Sequence, residues 1–197
     1  MPSIQSTITA DSQHDNSPQV TSPEMCDLIN KTKTAVTAYQ GDWSQTGQAV
    51  ADALRAHLPS PNMLSPQQRL GAPDHYCSIP LYIEPDTFSI MALVWRPGQE
   101  TPIHDHVTWC VFGVIQGVEY EELFKLNYNG RLIEAGENRN LTGTVDHLTP
   151  PGDIHRVRNA GDSVAISIHI YGTDVNRMSN SVRRIYDPIS SRKSPRR

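Results

Sequence analysis

The sequence predicts an all-β domain, a sandwich or barrel of short strands, preceded by N-terminal helices. Three observations carry this. From Gly71 onward, short runs of β-branched and aromatic residues recur between turn signals such as Pro85-Asp86, Gln116-Gly117 and Asn129-Gly130. Ahead of them, apolar residues recur at helical spacing. The length, 197 residues, suits one domain with a substantial core.

Residues 1–23 are rich in Ser, Thr, Gln, Asp and Pro and are expected to be a disordered tail, with His14 solvated. A helix is expected from Pro23, with Ser22 as N-cap, Met25, Leu28, Ile29, Val36 and Tyr39 as its apolar stripe, and Gly41 as its stop. A second fits Ser44 to His57, with Val50, Ala53, Leu54 and Leu58 inward; Pro59, Pro61 and Pro66 then break the helical run. Strands are expected over Tyr76–Ile83, Phe88–Arg96, Thr101–His106, Cys110–Ile115, Val118–Asn127, Arg131–Ala135, Val145–Leu148, Ile154–Asn159 and Val164–Tyr171. The expected domain spans 24–187, with a helical cap over 24–70 and a β-barrel over 72–187. Residues 188–197 read as a flexible basic tail carrying Arg192, Lys193, Arg196 and Arg197, charges that are usually just solvated.

Composition narrows the function. A net charge of −4 gives no general attraction to nucleic acid or membrane. No apolar run is long enough to span a bilayer, and the first residues lack the pattern of a signal peptide. Three cysteines, Cys26, Cys77 and Cys110, are too few for a disulfide framework, so a reducing cytoplasm is expected.

The chemistry lies in two segments. In Gly98-Gln99-Glu100-Thr101-Pro102-Ile103-His104-Asp105-His106, strand alternation places His104 and His106 on one face and turns Asp105 outward. Two imidazoles on one face are half of a metal site. Pro150-Pro151-Gly152-Asp153-Ile154-His155 offers a third histidine behind another Pro-Gly turn. His75 and His147 have no such context and are expected to be structural or surface residues.

These segments resemble the two signature motifs of the cupin superfamily. Gly98, His104, His106 and Gly117 fit the first, with Cys110 where a Glu is usual; Pro150, Gly152, His155 and Asn159 fit the second. The resemblance implies a cupin double-stranded β-helix, or jelly roll. Three histidines without the carboxylate look like the thiol dioxygenases, the cysteine dioxygenase and 3-mercaptopropionate dioxygenase family. That family's Ser-x-His-x-Tyr relay is matched by Ser167, His169 and Tyr171, which share a strand face. The resemblance runs from about Tyr76 to Tyr186. It implies Fe(II) as cofactor, O₂ and a small thiol as reactants, a sulfinate as product, and Tyr171 as the group that orients the reacting oxygens. Three neutral imidazoles leave a divalent metal its full charge, which favours a thiolate, but ligand type alone does not choose iron over zinc, nickel or copper.

Two features depart from the family. Cys110 falls where mammalian-type cysteine dioxygenases carry the cysteine of a thioether to the active-site tyrosine, so Cys110 and Tyr171 could form a crosslink; the rival reading is a buried free thiol. The family's carboxylate-holding position on the first core strand is occupied by Ser78. Arg184 and Arg183, where the mercaptopropionate type carries a carboxylate-binding Arg, are then the candidates, with Arg96 a further one, and the His-x-x-Trp context of Trp109 looks like that branch. Rival functions are a cupin hydrolase or isomerase using another divalent metal, and a cupin that binds a ligand or metal without turnover. Neither requires the relay. Oligomeric state is not readable.

Overall fold

The computed structural model describes residues 22–178 and 180–187. Residues 1–21 and 188–197 of the two expected tails, with His14, Arg192, Lys193, Arg196 and Arg197, lie outside the described residues, whereas Ser22 and Pro23, the end of the first expected tail, are ordered at the start of a helix. The chain begins with α1 (Pro23–Ala38) and α2 (Trp43–Ala56), followed by a short 3₁₀ turn at Pro61–Met63 and the single-turn α3 (Pro66–Arg69). Ser22 caps α1 by accepting from the Met25 N–H, and Asp42 caps α2 by accepting from the Gln45 N–H. Asp42 therefore starts the second helix one residue before the expected Ser44. The stripe of α1 runs through Met25, Leu28, Ile29, Thr32 and Ala35, not out to Tyr39, which is the exposed C-cap.

Ten strands follow: β1 (Cys77–Glu84), β2 (Phe88–Trp95), β3 (Ile103–His106), β4 (Cys110–Gln116), β5 (Val118–Leu126), β6 (Leu132–Leu141), β7 (Val145–Leu148), β8 (His155–Arg158), β9 (Ala165–Tyr171) and β10 (Val182–Tyr186). A short α4 (Val175–Met178) sits between the last two. The strands form two five-stranded antiparallel sheets, ordered β1-β2-β9-β4-β7 and β10-β3-β8-β5-β6. From β3 onward the chain passes back and forth between the sheets, which is the double-stranded β-helix of the cupins.

Alternation along β2 and β9 sorts the core. One parity, Phe88, Ile90, Ala92, Val94, Ile166, Ile168 and Ile170, joins Met25, Leu28, Val50 and Leu54 of the helices in one apolar cluster. The other parity, Met91, Leu93 and Trp95, clusters with Val157, Tyr76 and Tyr171 between the sheets. All eight residues of β2 are buried because helices cover one face and the second sheet covers the other. Gly98 has φ +82°, a left-handed conformation at the turn before β3. Gly117, at φ +78°, also lies where a Cβ would come within 2.9 Å of the Ala165 backbone.

Two strands differ from expectation. β6 extends to Leu141, through a mostly polar run from Glu134 to Arg139 that is exposed on an edge; its pairing with β5 is made by the backbone and needs no apolar side chains. β10 is not predicted by the sequence pattern, because Val-Arg-Arg-Ile-Tyr is short and mostly exposed; it is held by pairing with β3.

Candidate metal centre

His104 and His106 lie on β3 and His155 on β8, with His104 and His155 direct cross-strand partners. All three are buried, and one ligand atom from each falls within 4.8 Å of the others. Ring centroids are separated by 4.7 to 5.1 Å. Among the described residues no carboxylate or thiol joins this group.

Every Nδ1 faces an acceptor. The His104 Nδ1 lies 3.0 Å from the Pro102 carbonyl, the His106 Nδ1 3.1 Å from Asp153 Oδ2, and the His155 Nδ1 2.8 Å from Glu121 Oε1. The Nδ1–H donates in each case, which leaves Nε2 as the ligand atom. Asp153 Oδ2 also accepts from the His106 backbone N–H at 2.8 Å, so side chain and strand are fixed together. The His155 Nε2 is buried with no hydrogen-bond partner. A buried lone pair left so is costly, and a divalent cation would satisfy it, so these residues fit a metal.

The electrostatics agree. Burial and the neighbouring histidines hold the His104 imidazole well below its ordinary pKa, and burial holds His106 down despite Asp153. Burial raises Asp153 and Glu121, but their hydrogen bonds outweigh it: His106 and the backbone lower Asp153, and His155 with Asn138 and Asn140 lowers Glu121. His104 and His106 are thus held as neutral imidazoles, the state in which imidazole binds metal.

The relay residues come together as alternation implied. Ser167 Oγ is 3.0 Å from His169 Nε2, and Tyr171 OH is 3.2 Å from His169 Nδ1. The Trp95 indole donates to Ser167 Oγ at 3.3 Å. Tyr171 faces the histidine cluster, its ring centroid 6.1 Å from that of His106. Burial lowers His169 to about 3 and raises Tyr171 well above its ordinary value, so the imidazole and phenol are neutral. Cys110 is the direct cross-strand partner of Tyr171, and its Sγ lies 4.0 Å from His169 Nδ1.

Asp105 is directed away from the histidines, but it does not face solvent. It is fully buried under β10, where Arg183 and Tyr186 donate to its Oδ2. A facing strand that the sequence pattern did not show covers this side. Arg184 lies over the Tyr186 ring, exposed and, among the described residues, without an ion pair. Ser78 is exposed on β1, in register with Leu93, which pairs in turn with Ser167. Trp109 is buried in the cluster shared with the helices, against Gly172. Arg96 donates to the Leu70 carbonyl at 2.9 Å. His147 packs against Gly47 of α2, and His75 is exposed.

Sequence reasoning missed Glu119, Glu121 and Asp153. The alternation Val118-Glu119-Tyr120-Glu121 would by polarity put the two acids outside; they are instead 1% and 2% exposed. The sequence carried no local signal for them, because Glu121 meets His155 only through the pairing of β5 with β8.

Fold and site together define a cupin with a three-histidine centre. Residues 73–183, more than half of the chain, match the family model described as cysteine dioxygenase type I, and the chain belongs to that family. Among solved structures it is similar to an uncharacterized conserved protein with a double-stranded beta-helix domain from Klebsiella pneumoniae, 18% identical with a TM-score of 0.40 over 52% of this chain and 81% of that one. It is also similar to TT1209 from Thermus thermophilus, 20% identical with a TM-score of 0.41 over 56% and 96% of the two chains. An oxalate oxidase is 16% identical, with a TM-score of 0.41 over 52% of this chain and 53% of that one.

Proposed function

We propose that this protein is an iron-dependent thiol dioxygenase that converts a small thiol carboxylate, such as cysteine or 3-mercaptopropionate, to its sulfinate. The observation that carries the reading is a buried three-histidine cluster that no acidic ligand joins among the described residues, faced by a tyrosine on a Ser-His-Tyr relay. The reaction balances without outside reductant: thiol RSH and O₂ give RSO₂H, with both oxygen atoms on sulfur.

Iron(II) held by His104, His106 and His155 would supply a positive centre at which thiolate and O₂ meet. The chain does the rest. Asp153 and Glu121 keep His106 and His155 in the Nδ1–H tautomer. Tyr171 is placed to hydrogen-bond the reacting oxygens and to stabilise charge as it develops there. His169, neutral because it is buried, orients that hydroxyl, and Ser167 orients His169. Arg184 on the edge strand β10 is the proposed partner of the substrate carboxylate, with Ser78 at the strand end completing the pocket; Arg183, which holds Asp105 on the side turned away from the histidines, and Trp109, packed in the helix-side cluster, are not proposed to reach the substrate. The cross-strand placement of Cys110 and Tyr171 supports a thioether between them. The Cys77 thiol is free, and a reducing cytoplasm is the proposed compartment. The proposed partners are the thiol and O₂, with no nucleic acid and no membrane; among the described residues no helix is long and apolar enough to cross one.

The test is anaerobic loading with iron(II), then O₂ uptake and sulfinate analysis with cysteine, 3-mercaptopropionate, mercaptosuccinate and cysteamine. Thiol-dependent uptake that His155→Ala abolishes is expected. Uptake indifferent to His155→Ala, or turnover with zinc or manganese that needs no O₂, would reject the proposal.

A further inference from the structure

Glu119 lies on β5 two residues before Glu121, is 1% exposed, and has its Oε1 buried without a hydrogen-bond partner. The Ser167 hydroxyl and the Trp95 indole N–H are the polar groups that face it. Nothing in the mechanism above uses it, yet it stands at the far end of the relay from Tyr171.

We propose that Glu119 is a fourth member of the relay, a positioning residue that sets the direction in which the hydrogen bonds from Ser167 through His169 to Tyr171 run. The inference rests on the reading of Tyr171 as the group that faces substrate.

The argument is a count of donors and acceptors. Ser167 Oγ has one hydrogen and two lone pairs. Trp95 Nε1–H can only donate, and it is shared between one Ser167 lone pair and the Glu119 carboxylate. With Glu119 ionised, the hydroxyl hydrogen goes to the carboxylate, and the second lone pair accepts from His169 Nε2–H. His169 Nδ1 is then an acceptor, and Tyr171 must turn its O–H toward the imidazole. The phenol presents only lone pairs to the metal centre.

With Glu119 protonated, its O–H takes the second lone pair of Ser167. The Ser167 hydrogen then points to His169 Nε2, the other tautomer forms, and Nδ1–H donates to the Tyr171 oxygen. The phenol hydrogen is released from the imidazole and is free to turn to the metal centre, with Ser181 as the other polar partner of the phenol. In both states the Ser167, His169 and Tyr171 hydrogen bonds are satisfied, and no charge is placed on the imidazole, which burial keeps neutral down to about 3. The reversal therefore costs little beyond the proton itself. Burial, with the nearby charge of Glu121, raises the Glu119 carboxyl to about 7, where both forms are populated. Ser167 and Trp95 oppose that rise, and Cys110 is the further group facing the imidazole.

The test reads the His169 tautomer by long-range proton–nitrogen NMR. It uses full-length, zinc-loaded protein with isotope-labelled histidine, the signal being assigned through His169→Gln. Between about pH 8.5 and about pH 6 the ratio of Nε2–H to Nδ1–H forms is expected to invert. In Glu119→Gln the ratio should no longer respond over that range, and in Ser167→Ala, which cuts the link, it should not respond either. A wild-type ratio that stays constant, or a response that persists in Glu119→Gln or Ser167→Ala, overturns the inference. If one variant does not fold, the wild-type titration and the other variant still decide. Zinc-loaded protein needs no turnover, so absent O₂ uptake would reject the dioxygenase reading without touching this result.

Discussion

Glu121 Oε1 lies 2.8 Å from Nδ1 of His155, and the Asn138 amide donates to the other oxygen of the same carboxylate at 3.1 Å. Glu121 pairs with Val157, two residues along β8 from His155, so the contact is a diagonal cross-strand one fixed by register. The acid orients a ligand without being one.

Glu121→Gln keeps the shape of the side chain but loses the charge that holds the Nδ1–H. Metal affinity is expected to fall about 10–100-fold, as for other partners behind metal-bound histidines. Competition against a chromophoric chelator measures it; unchanged affinity would mean that Glu121 does not tune the site.

Tyr171→Phe removes the hydroxyl that faces the cluster while leaving all three histidines in place. The turnover number for thiol-dependent O₂ uptake should drop about 100-fold, and metal affinity should stay within about twofold. Equal losses in both would assign Tyr171 a structural role.

Formation of a thioether between Cys110 and Tyr171 removes the thiol hydrogen and one ring hydrogen. After aerobic turnover, intact mass is expected to fall by the weight of two hydrogens in wild type and not in Cys110→Ser. Full mass in both would leave Cys110 as a buried thiol.

Acid should destabilise the metal-free protein. His169 is lowered from 6.5 to about 3, so below about 6.5 the unfolded chain takes up a proton that the folded one refuses. Stability is fully present above 6.5 and falls as pH drops, by about 1.4 kcal/mol per unit for each such group. His104 and His106, also lowered, add in the same direction. Glu119 acts oppositely: raised from 4.5 to about 7, it favours the folded state at low pH and loses that contribution as pH rises through 7. Melting curves of chelator-treated protein should therefore shift down between about pH 7 and about pH 5, and more steeply in Glu119→Gln.

Gly172→Ala probes the packing behind Cys110. A Cβ there would run into the Trp109 indole and meet the Thr108 hydroxyl at 2.7 Å. Overpacking of this kind costs about 1–3 kcal/mol, so the melting temperature should fall; an unchanged value would show that Trp109 yields.

Much of this protein is written locally. Alternation on a strand puts His104 beside His106 and Ser167, His169 and Tyr171 on one face, because side chains two apart in a strand point the same way. Turn residues such as Gly98 and Gly117 mark where strands end, since few other residues adopt those backbone angles. The three-histidine set was legible from two short segments and their resemblance to a known pattern.

What lies between segments distant in the chain was not legible. β10 is a strand only because β3 offers it backbone partners, and its arrival turns Asp105 from a solvent-facing residue into a buried acceptor for Arg183 and Tyr186. Glu119 and Glu121 read as outward charges, yet the fold buries both: register with β8 sets Glu121 beside His155, and the packing of the two sheets brings Glu119 to Ser167. Local alternation fixes which side chains share a strand face; what each face meets depends on pairings between distant strands, which no local pattern encodes.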